Sequence, residues 1–143
     1  MKIFVQGLWH CGCVISACLA SLKYNVIAYD DDKKRINKLK KNIPPIFEPK
    51  LKELIEISTK DGKLSFVNNL KNLNEASIIW FTYDTPVDEQ DRANTKYVLD
   101  KIKKTLQILN SSKYVIISSQ LPVGTISLLE NYSKNVLKKK FYF

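Results

Sequence analysis

Two glycines five positions apart follow the first apolar run of this chain, and an acid ends the second run. The turn reads Gly7-Leu8-Trp9-His10-Cys11-Gly12, and Asp30 ends the apolar segment 25–30. Such glycines allow a tight turn and let the N-terminus of the next helix approach a diphosphate, while the acid accepts hydrogen bonds from ribose hydroxyls. The spacing predicts a dinucleotide site. The carboxylate of Asp30 would repel a 2′-phosphate, which favours NAD over NADP.

Two residues of this pattern leave alternatives open. Trp9 stands where the second glycine of G-x-G-x-x-G would lie. Its indole points away while its backbone N–H serves the phosphate, or the side chain weakens the site. Arg35 pairs with Asp30 or lies over an adenine ring. Alternatively, Asp30 and Arg35 have no role in ligand binding and are only a helix-capping acid and a surface cation.

Apolar runs and helical periodicity alternate along the chain, and these elements must position the residues above. We expect strands at 2–6, 25–30, 64–67, 76–82 and 114–119, with another beginning at 141. We expect helices at 12–23, 33–41, from Pro49 to the stop at Gly62, at 94–110, and from the 120–125 segment to about 137. Strands separated by helices imply a parallel sheet in a doubly wound α/β domain. Ligands of such sheets bind beyond the carboxyl ends of the strands, so segments 7–12, 30–35, 82–86 and 118–125 carry the candidate site.

Composition excludes several other classes of function. The net charge is +9, but only Arg35 and Arg92 are arginines and the lysines are spread over helix faces, so we predict no nucleic-acid partner. No apolar run is long enough for a membrane span and no secretory signal is evident, so we expect no membrane association and a cytoplasmic location.

Three cysteines lie close to the single histidine, His10. Their spacing does not fit a zinc site, because no second ligand pair follows. We therefore predict no metal. We expect Cys13 and Cys18, both in the first helix, to pack in the core of the protein.

Several segments, taken in order, resemble the N-terminal domain of the UDP-glucose/GDP-mannose dehydrogenase family. The matching segments are Gly7-Leu8-Trp9-His10-Cys11-Gly12, Ala17-Cys18-Leu19-Ala20, Asp30 with Arg35, Pro45-Ile46-Phe47-Glu48-Pro49-Lys50-Leu51, Tyr83-Asp84-Thr85-Pro86 and Ser119-Gln120-Leu121-Pro122-Val123-Gly124-Thr125. The E-P-x-L and P-V-G-T segments are more specific to the family than the glycine turn. The resemblance implies a Rossmann-type parallel sheet flanked by helices in three αβα layers.

The resemblance also implies an activity. Family members oxidise the C6 hydroxyl of a nucleotide sugar to a carboxylate in two NAD-dependent steps, through a cysteine thioester formed by a later domain. It implies the following cofactor-binding residues: Gly7, Trp9, His10, Cys11, Gly12, Asp30, Arg35, Tyr83, Thr85, Ser119 and Gln120. Gln120 stands where the family has a threonine, and its amide is the candidate for an auxiliary catalytic role.

The resemblance further implies that residues 1–143 form one NAD-binding domain, truncated before the central helix and the sugar-nucleotide domain. Such a chain lacks the catalytic cysteine and is inactive alone. The nucleotide sugar binds only with the missing part, and the full-length enzyme is a homodimer. Two alternatives remain: a dehydrogenase of the 6-phosphogluconate group, disfavoured by E-P-x-L, and a non-catalytic Rossmann shell whose dinucleotide site is altered by Trp9.

Overall fold

A computed structural model describes residues 1–143 as one parallel sheet with helices on both faces. The strands are β1 (Lys2–Gln6), β2 (Asn25–Tyr29), β3 (Leu64–Val67), β4 (Ile78–Phe81) and β5 (Tyr114–Ile117). The helices are α1 (His10–Ser21), α2 (Lys33–Leu39), α3 (Leu51–Lys60), α4 (Thr95–Ile108) and α5 (Thr125–Asn131). A 3₁₀ turn at Leu73–Glu75 precedes β4, and a π-helical turn at Tyr132–Val136 continues α5.

The strand order is β3-β2-β1-β4-β5, and every pairing is parallel. The chain moves outward from β1 to β3, then returns to the other side of β1 for β4 and β5. The order therefore reverses between β1 and β4, which makes their carboxyl ends the switch point where ligands of doubly wound sheets bind. The predicted fold class is confirmed.

Alternate residues of β1 divide the core into two layers. Ile3 and Val5 pack with residues of α1, α2 and α3, whereas Phe4 packs with residues of α4 and α5. Because successive side chains of a strand point to opposite faces, a strand covered by helices on both sides must be apolar throughout. The near-continuous apolar run of β1 meets that requirement.

Most predicted elements are confirmed, with shifts at their ends. The predicted inward residues of α2 and α4 are buried: Ile36, Leu39, Val98, Ile102 and Leu106. The prediction for the first helix was wrong at its start, because α1 begins at His10, two residues before Gly12. α3 begins at Leu51, since Lys50 before it has a left-handed backbone.

The final residues start another strand beside β5. Val115 N donates to Tyr142 O at 2.7 Å, and Tyr142 N donates to Lys113 O at 3.0 Å. Tyr142 pairs with Tyr114 in a parallel bridge, as the sequence predicted for residues 141–143.

The prediction that Cys18 is buried was wrong. Cys13, Ala17 and Ala20 recur at helical spacing and face the sheet, whereas Cys18 lies on the solvent side of α1. No helix of the chain has the length and apolarity needed to cross a membrane.

Candidate functional site

The turn between β1 and α1 is built around Gly7. Its φ of +95° lies in the region that favours glycine, and its N–H donates to Tyr29 O at 3.0 Å. A Cβ at this position would lie 2.7 Å from Tyr83 N. A glycine is therefore required at this point for both conformation and space.

Gly12 lets α1 pack directly on the carboxyl ends of β1 and β4. A Cβ there would lie 1.9 Å from Gly7 O and 2.6 Å from the Oγ1 of Thr82. The same hydroxyl lies 2.7 Å from Gly7 O and 3.0 Å from Gln6 O, so its single proton is donated to one carbonyl or shared between the two. Thr82 thus ties the end of β4 to the turn, and Gly12 gives the close packing that the sequence indicated.

The N-terminus of α1 opens at this edge without a side-chain cap. Trp9 is the N-cap residue, and its side chain makes no capping hydrogen bond. The first intrahelical bond runs from Cys13 N to Trp9 O. The amides of His10, Cys11 and Gly12 therefore have no acceptor within the helix, and together with the helix dipole they suit an anion such as a diphosphate.

Asp30 lies at the carboxyl end of β2 and is only 2% exposed. Its Oδ2 accepts from Leu8 N at 2.8 Å and from Arg35 Nη1 at 2.7 Å, while its Oδ1 accepts from Asp32 N at 2.9 Å. A carboxylate offers about four acceptor positions, so about one is left on Oδ1. In this arrangement Asp30 has one acceptor position free for a ribose hydroxyl.

Arg35 is held from three directions. Besides Asp30, its guanidinium meets the Asp32 carboxylate with an Nη2–Oδ2 distance of 3.8 Å. Its Cζ lies 5.1 Å from the centroid of the Trp9 ring, within cation–π range. Asp32 also caps α2 by accepting from the backbone N–H groups of Lys34 and Arg35. Of the two roles predicted for Arg35, the structure shows the pairing with Asp30.

Trp9 does not need a glycine backbone, since its φ is −84°. Its side chain stacks on Arg35 and remains 42% exposed. The indole lines the cleft. Beside it, the backbone N–H groups at the N-terminus of α1 have no acceptor within the helix.

The cleft has a volume of about 300 Å³, and its second wall comes from the end of β4 and from α4. Tyr83 is buried there, and its hydroxyl donates to the Oε1 of Gln6 at 3.3 Å. Burial raises the pKa of Tyr83. The cleft is lined by Gly7, Leu8, Trp9, Asp30, Arg35, Tyr83, Asp84, Pro86 and Tyr97.

Asp84 places a second carboxylate at this cleft. Partial burial raises its pKa, and the positive charge of Arg35 and the nearby His10 act in the opposite direction. Its negative charge opposes the binding of an anion at the α1 N-terminus. Asp84 lies in a segment that the sequence singled out, but it was not among the predicted binding residues.

His10 contacts a different part of the chain. Its Nε2 lies 2.8 Å from the Oε2 of Glu48, and both side chains are exposed. This contact joins the first turn of α1 to the E-P-x-L segment. His10 therefore positions that segment against the helix start and is not one of the residues that line the cleft.

Thr85, Ser119 and Gln120 lie farther along the same edge, after β4 and β5. The Oγ1 of Thr85 donates to Gln120 O at 2.7 Å, which joins the two loops. The Oγ of Ser119 is buried without a hydrogen-bond partner, whereas Gln120 is exposed. These three residues do not line the cleft around Asp30. They flank the far end of the edge, where a dinucleotide extending from Asp30 across the switch point would arrive.

The three cysteines differ in environment. Cys13 is buried and donates to Leu8 O, and burial raises its pKa to about 12. Cys11 is exposed, yet partial burial of its thiol and the charge of Asp84 raise its pKa as well. Both thiols are weak nucleophiles near neutral pH, because the thiolate is the reactive form.

Besides Asp84, three further contributors to the site were absent from the list of predicted binding residues. Leu8 acts through its backbone N–H, which no residue type reveals, and Tyr97 reaches the cleft only because α4 packs beside β4. Thr82 lies in segment 82–86, which the sequence singled out, and its hydroxyl at the end of a buried strand was the signal for its role.

The parallel sheet, the glycine turn at the switch point and the uncapped helix start define a dinucleotide-binding domain of the Rossmann class. Residues 1–142 match the NAD binding domain of the UDP-glucose/GDP-mannose dehydrogenase family. The chain belongs to this family as its NAD-binding domain, and NAD is the cofactor of that domain.

Curated relatives agree with this assignment, and a solved structure has the same fold. The chain is 32% identical over 143 residues to the UDP-glucose 6-dehydrogenase TuaD of Bacillus subtilis, covering 99% of this chain and 31% of TuaD. It is 34% identical over 130 residues to YwqF of the same organism, covering 90% of this chain and 30% of YwqF. A UDP-D-ManNAc dehydrogenase from Pyrococcus horikoshii has the same fold, with a TM-score of 0.88 at 24% identity over 99% of this chain and 34% of that structure. The chain thus spans about a third of the length of these proteins.

Proposed function

We propose that this chain is the NAD-holding part of a nucleotide-sugar 6-dehydrogenase, which oxidises the C6 hydroxyl of a UDP-sugar to a carboxylate. The observation that supports it most is the uncapped N-terminus of α1. Gly12 allows this helix to pack closely at the switch point, and Asp30 lies beside it. The UDP-glucose 6-dehydrogenases among its relatives support the choice of substrate class.

In this proposal the diphosphate lies against the free amides of His10, Cys11 and Gly12, where the helix dipole favours negative charge. Gly7 has no side chain, so the turn allows the diphosphate to approach the backbone closely. The remaining acceptor position of Asp30 takes one hydroxyl of the adenosine ribose, and its charge disfavours a 2′-phosphate. NAD, when bound, supplies the acceptor for the hydride that leaves the sugar carbon.

The other end of the cofactor would lie near Thr85, Ser119 and Gln120. Ser119 carries a buried hydroxyl with no partner in the chain, so it has a hydrogen bond to offer. The exposed amide of Gln120 can also donate without breaking a contact that its side chain makes in the structure. These residues orient the nicotinamide end, and they neither form nor break a covalent bond.

The thioester-forming cysteine of this proposal is none of the three in the chain. Cys13 is buried with a pKa of about 12, Cys11 has a raised pKa, and Cys18 lies on the outer side of α1. The proposal therefore assigns the nucleophile, the sugar-binding contacts and the dimer contacts to parts of the enzyme other than residues 1–143, and it expects no turnover from these residues alone.

Calorimetric titration of the chain with NAD, NADP and heparin tests the proposal. We expect saturable NAD binding, NADP binding weaker by at least about tenfold because of the Asp30 charge, and no saturable binding of heparin. The variant Lys138→Ala, far from the cleft in sequence and beyond α5, serves as a control that binds NAD as the wild type does. Binding of heparin in place of NAD would overturn the proposal.

The stack of Trp9 on Arg35 supports a second candidate, a Rossmann shell that binds no dinucleotide. In that case the wild-type chain would not bind NAD, whereas the variant Trp9→Gly would regain NAD binding, and both proteins would be folded. NAD binding by the wild-type chain would rule this candidate out.

A further inference from the structure

We propose that Trp9 and Arg35 form a latch that closes the adenosine end of the cleft in the free protein and opens when NAD binds. This inference rests on the proposed function, since it assigns a regulatory device to the same site. It makes Trp9, the residue that departs from the glycine pattern, the one that sets how readily the site accepts its cofactor.

The latch is a continuous chain of three side chains. The Trp9 ring covers the Arg35 guanidinium at 5.1 Å, and Nη1 of Arg35 lies 2.7 Å from Oδ2 of Asp30. The backbone of Arg35 is fixed, because its N–H donates to the capping carboxylate of Asp32 at 3.1 Å. Movement of the latch is therefore a swing of the Arg35 and Trp9 side chains and needs no shift of α2.

The closed arrangement leaves Asp30 one acceptor position, whereas an adenosine ribose offers two hydroxyls. Arg35 takes one of the acceptor positions of Asp30, and two backbone N–H groups take two more. The carboxylate is 2% exposed beneath these contacts. The indole of Trp9 and the guanidinium of Arg35 both line this part of the cleft, beside Asp30.

The latch can open because its outer contact is weak and faces solvent. Trp9 is 42% exposed and the Arg35 side chain is 26% exposed. A cation–π contact at an exposed site corresponds to only about a two- to fivefold preference for the stacked state. The Asp32 carboxylate, 3.8 Å from the second nitrogen of Arg35, offers the guanidinium a partner once it leaves Asp30.

A double-mutant cycle on NAD affinity tests the latch. Removal of the indole in Trp9→Ala should tighten NAD binding about two- to fivefold, because the closed state loses its stack. Arg35→Met, which keeps a side chain of similar length without donors, should also tighten binding. Adding Trp9→Ala to Arg35→Met should then change the affinity by less than about twofold, since both changes open the same latch. Leu22→Ala, exposed just beyond the other end of α1, is the matched control and should leave the affinity unchanged.

The possible results distinguish failure of the latch from failure of the proposed NAD-binding function. Tighter binding in both single variants without additivity supports the latch. NAD binding that is unchanged or weaker in Trp9→Ala, or additive effects in the double variant, overturns the latch and leaves the proposed function standing. No NAD binding in any variant overturns the proposed function and the latch with it. If Arg35→Met does not fold, Arg35→Lys replaces it, because lysine keeps the charge but lacks the planar group that stacks on the indole.

Discussion

Arg35 and Asp30 form an ion pair at 2.7 Å in which the carboxylate is almost completely buried. The acid that marks a ribose site in the sequence is thus also the anchor that joins the β1–α1 turn to α2, through Leu8 N and Asp32 N. Binding and stability therefore depend on the same carboxylate, and changes at Asp30 must be measured for both.

Asp30→Asn should lower the free energy of unfolding by about 2 kcal/mol, because it leaves the partly buried Arg35 without its anionic partner. Urea unfolding followed by circular dichroism measures the loss. Asp31→Asn is the matched control: the adjacent Asp31 pairs with Lys101 at the surface, and its loss should cost less than about 1 kcal/mol. Equal losses in the two variants would contradict the anchoring role of Asp30.

Gly12→Ala should destabilise the domain by at least about 3 kcal/mol, since its Cβ would lie 1.9 Å from Gly7 O and α1 would have to move outward. Thermal unfolding provides the measurement. Gly62→Ala is the comparison, because a Cβ there meets nothing within 4 Å and only the φ of +67° is unfavourable, at about 1 kcal/mol. If Gly12→Ala were the milder change, the close approach of α1 to the strand ends would be wrong.

Asp84→Asn should tighten NAD binding at pH 7 by about fivefold, which corresponds to about 1 kcal/mol for removing a like charge near a diphosphate. Burial raises the pKa of Asp84, so its carboxyl takes up a proton earlier than an ordinary one as the pH falls. The advantage of Asp84→Asn should therefore shrink toward about pH 4, where the wild-type carboxyl also becomes neutral. Calorimetry at both pH values tests this, with the surface variant Asp88→Asn as control; a pH-independent advantage would point to a steric cause.

The raised pKa of Asp84 also predicts a stability effect with a definite sign. The folded pKa exceeds the unfolded value, so ionisation of Asp84 costs stability as the pH rises from the unfolded value through the folded one. Asp84→Asn should lack this loss and be more stable than the wild type at pH 7. Urea unfolding across that pH range is the measurement, and equal stability of both proteins at every pH would refute it.

Native alkylation should separate the three cysteines. Iodoacetamide at about pH 8 should modify Cys18 readily, Cys11 more slowly because its pKa is raised, and Cys13 only after unfolding, because it is buried with a pKa of about 12. Mass spectrometry of the labelled peptides gives the order. Rapid labelling of Cys13 in the folded protein would contradict the packing of α1 on the sheet.

The alternation of apolar runs and periodic segments was enough to predict the parallel sheet, the helices and the glycine turn. These features depend on neighbouring residues: the periods of strands and helices, and the conformations open to Gly7. The first residues of α1 and α3 were not predicted correctly. Trp9 is not a typical capping residue, and the left-handed backbone of Lys50 has no signature in its side chain.

The sequence by itself determined which residues approach the switch point, because chain order and strand direction bring segments 7–12, 30–35, 82–86 and 118–125 to one edge. Only the tertiary structure decided what those residues do there. Three of the acceptor positions of Asp30 are taken by Leu8, Asp32 and Arg35, and the indole of Trp9 stacks on Arg35. Such contacts depend on distances of a few ångströms between side chains far apart in the chain, and these distances are set by the packing of α1 and α2 on the sheet.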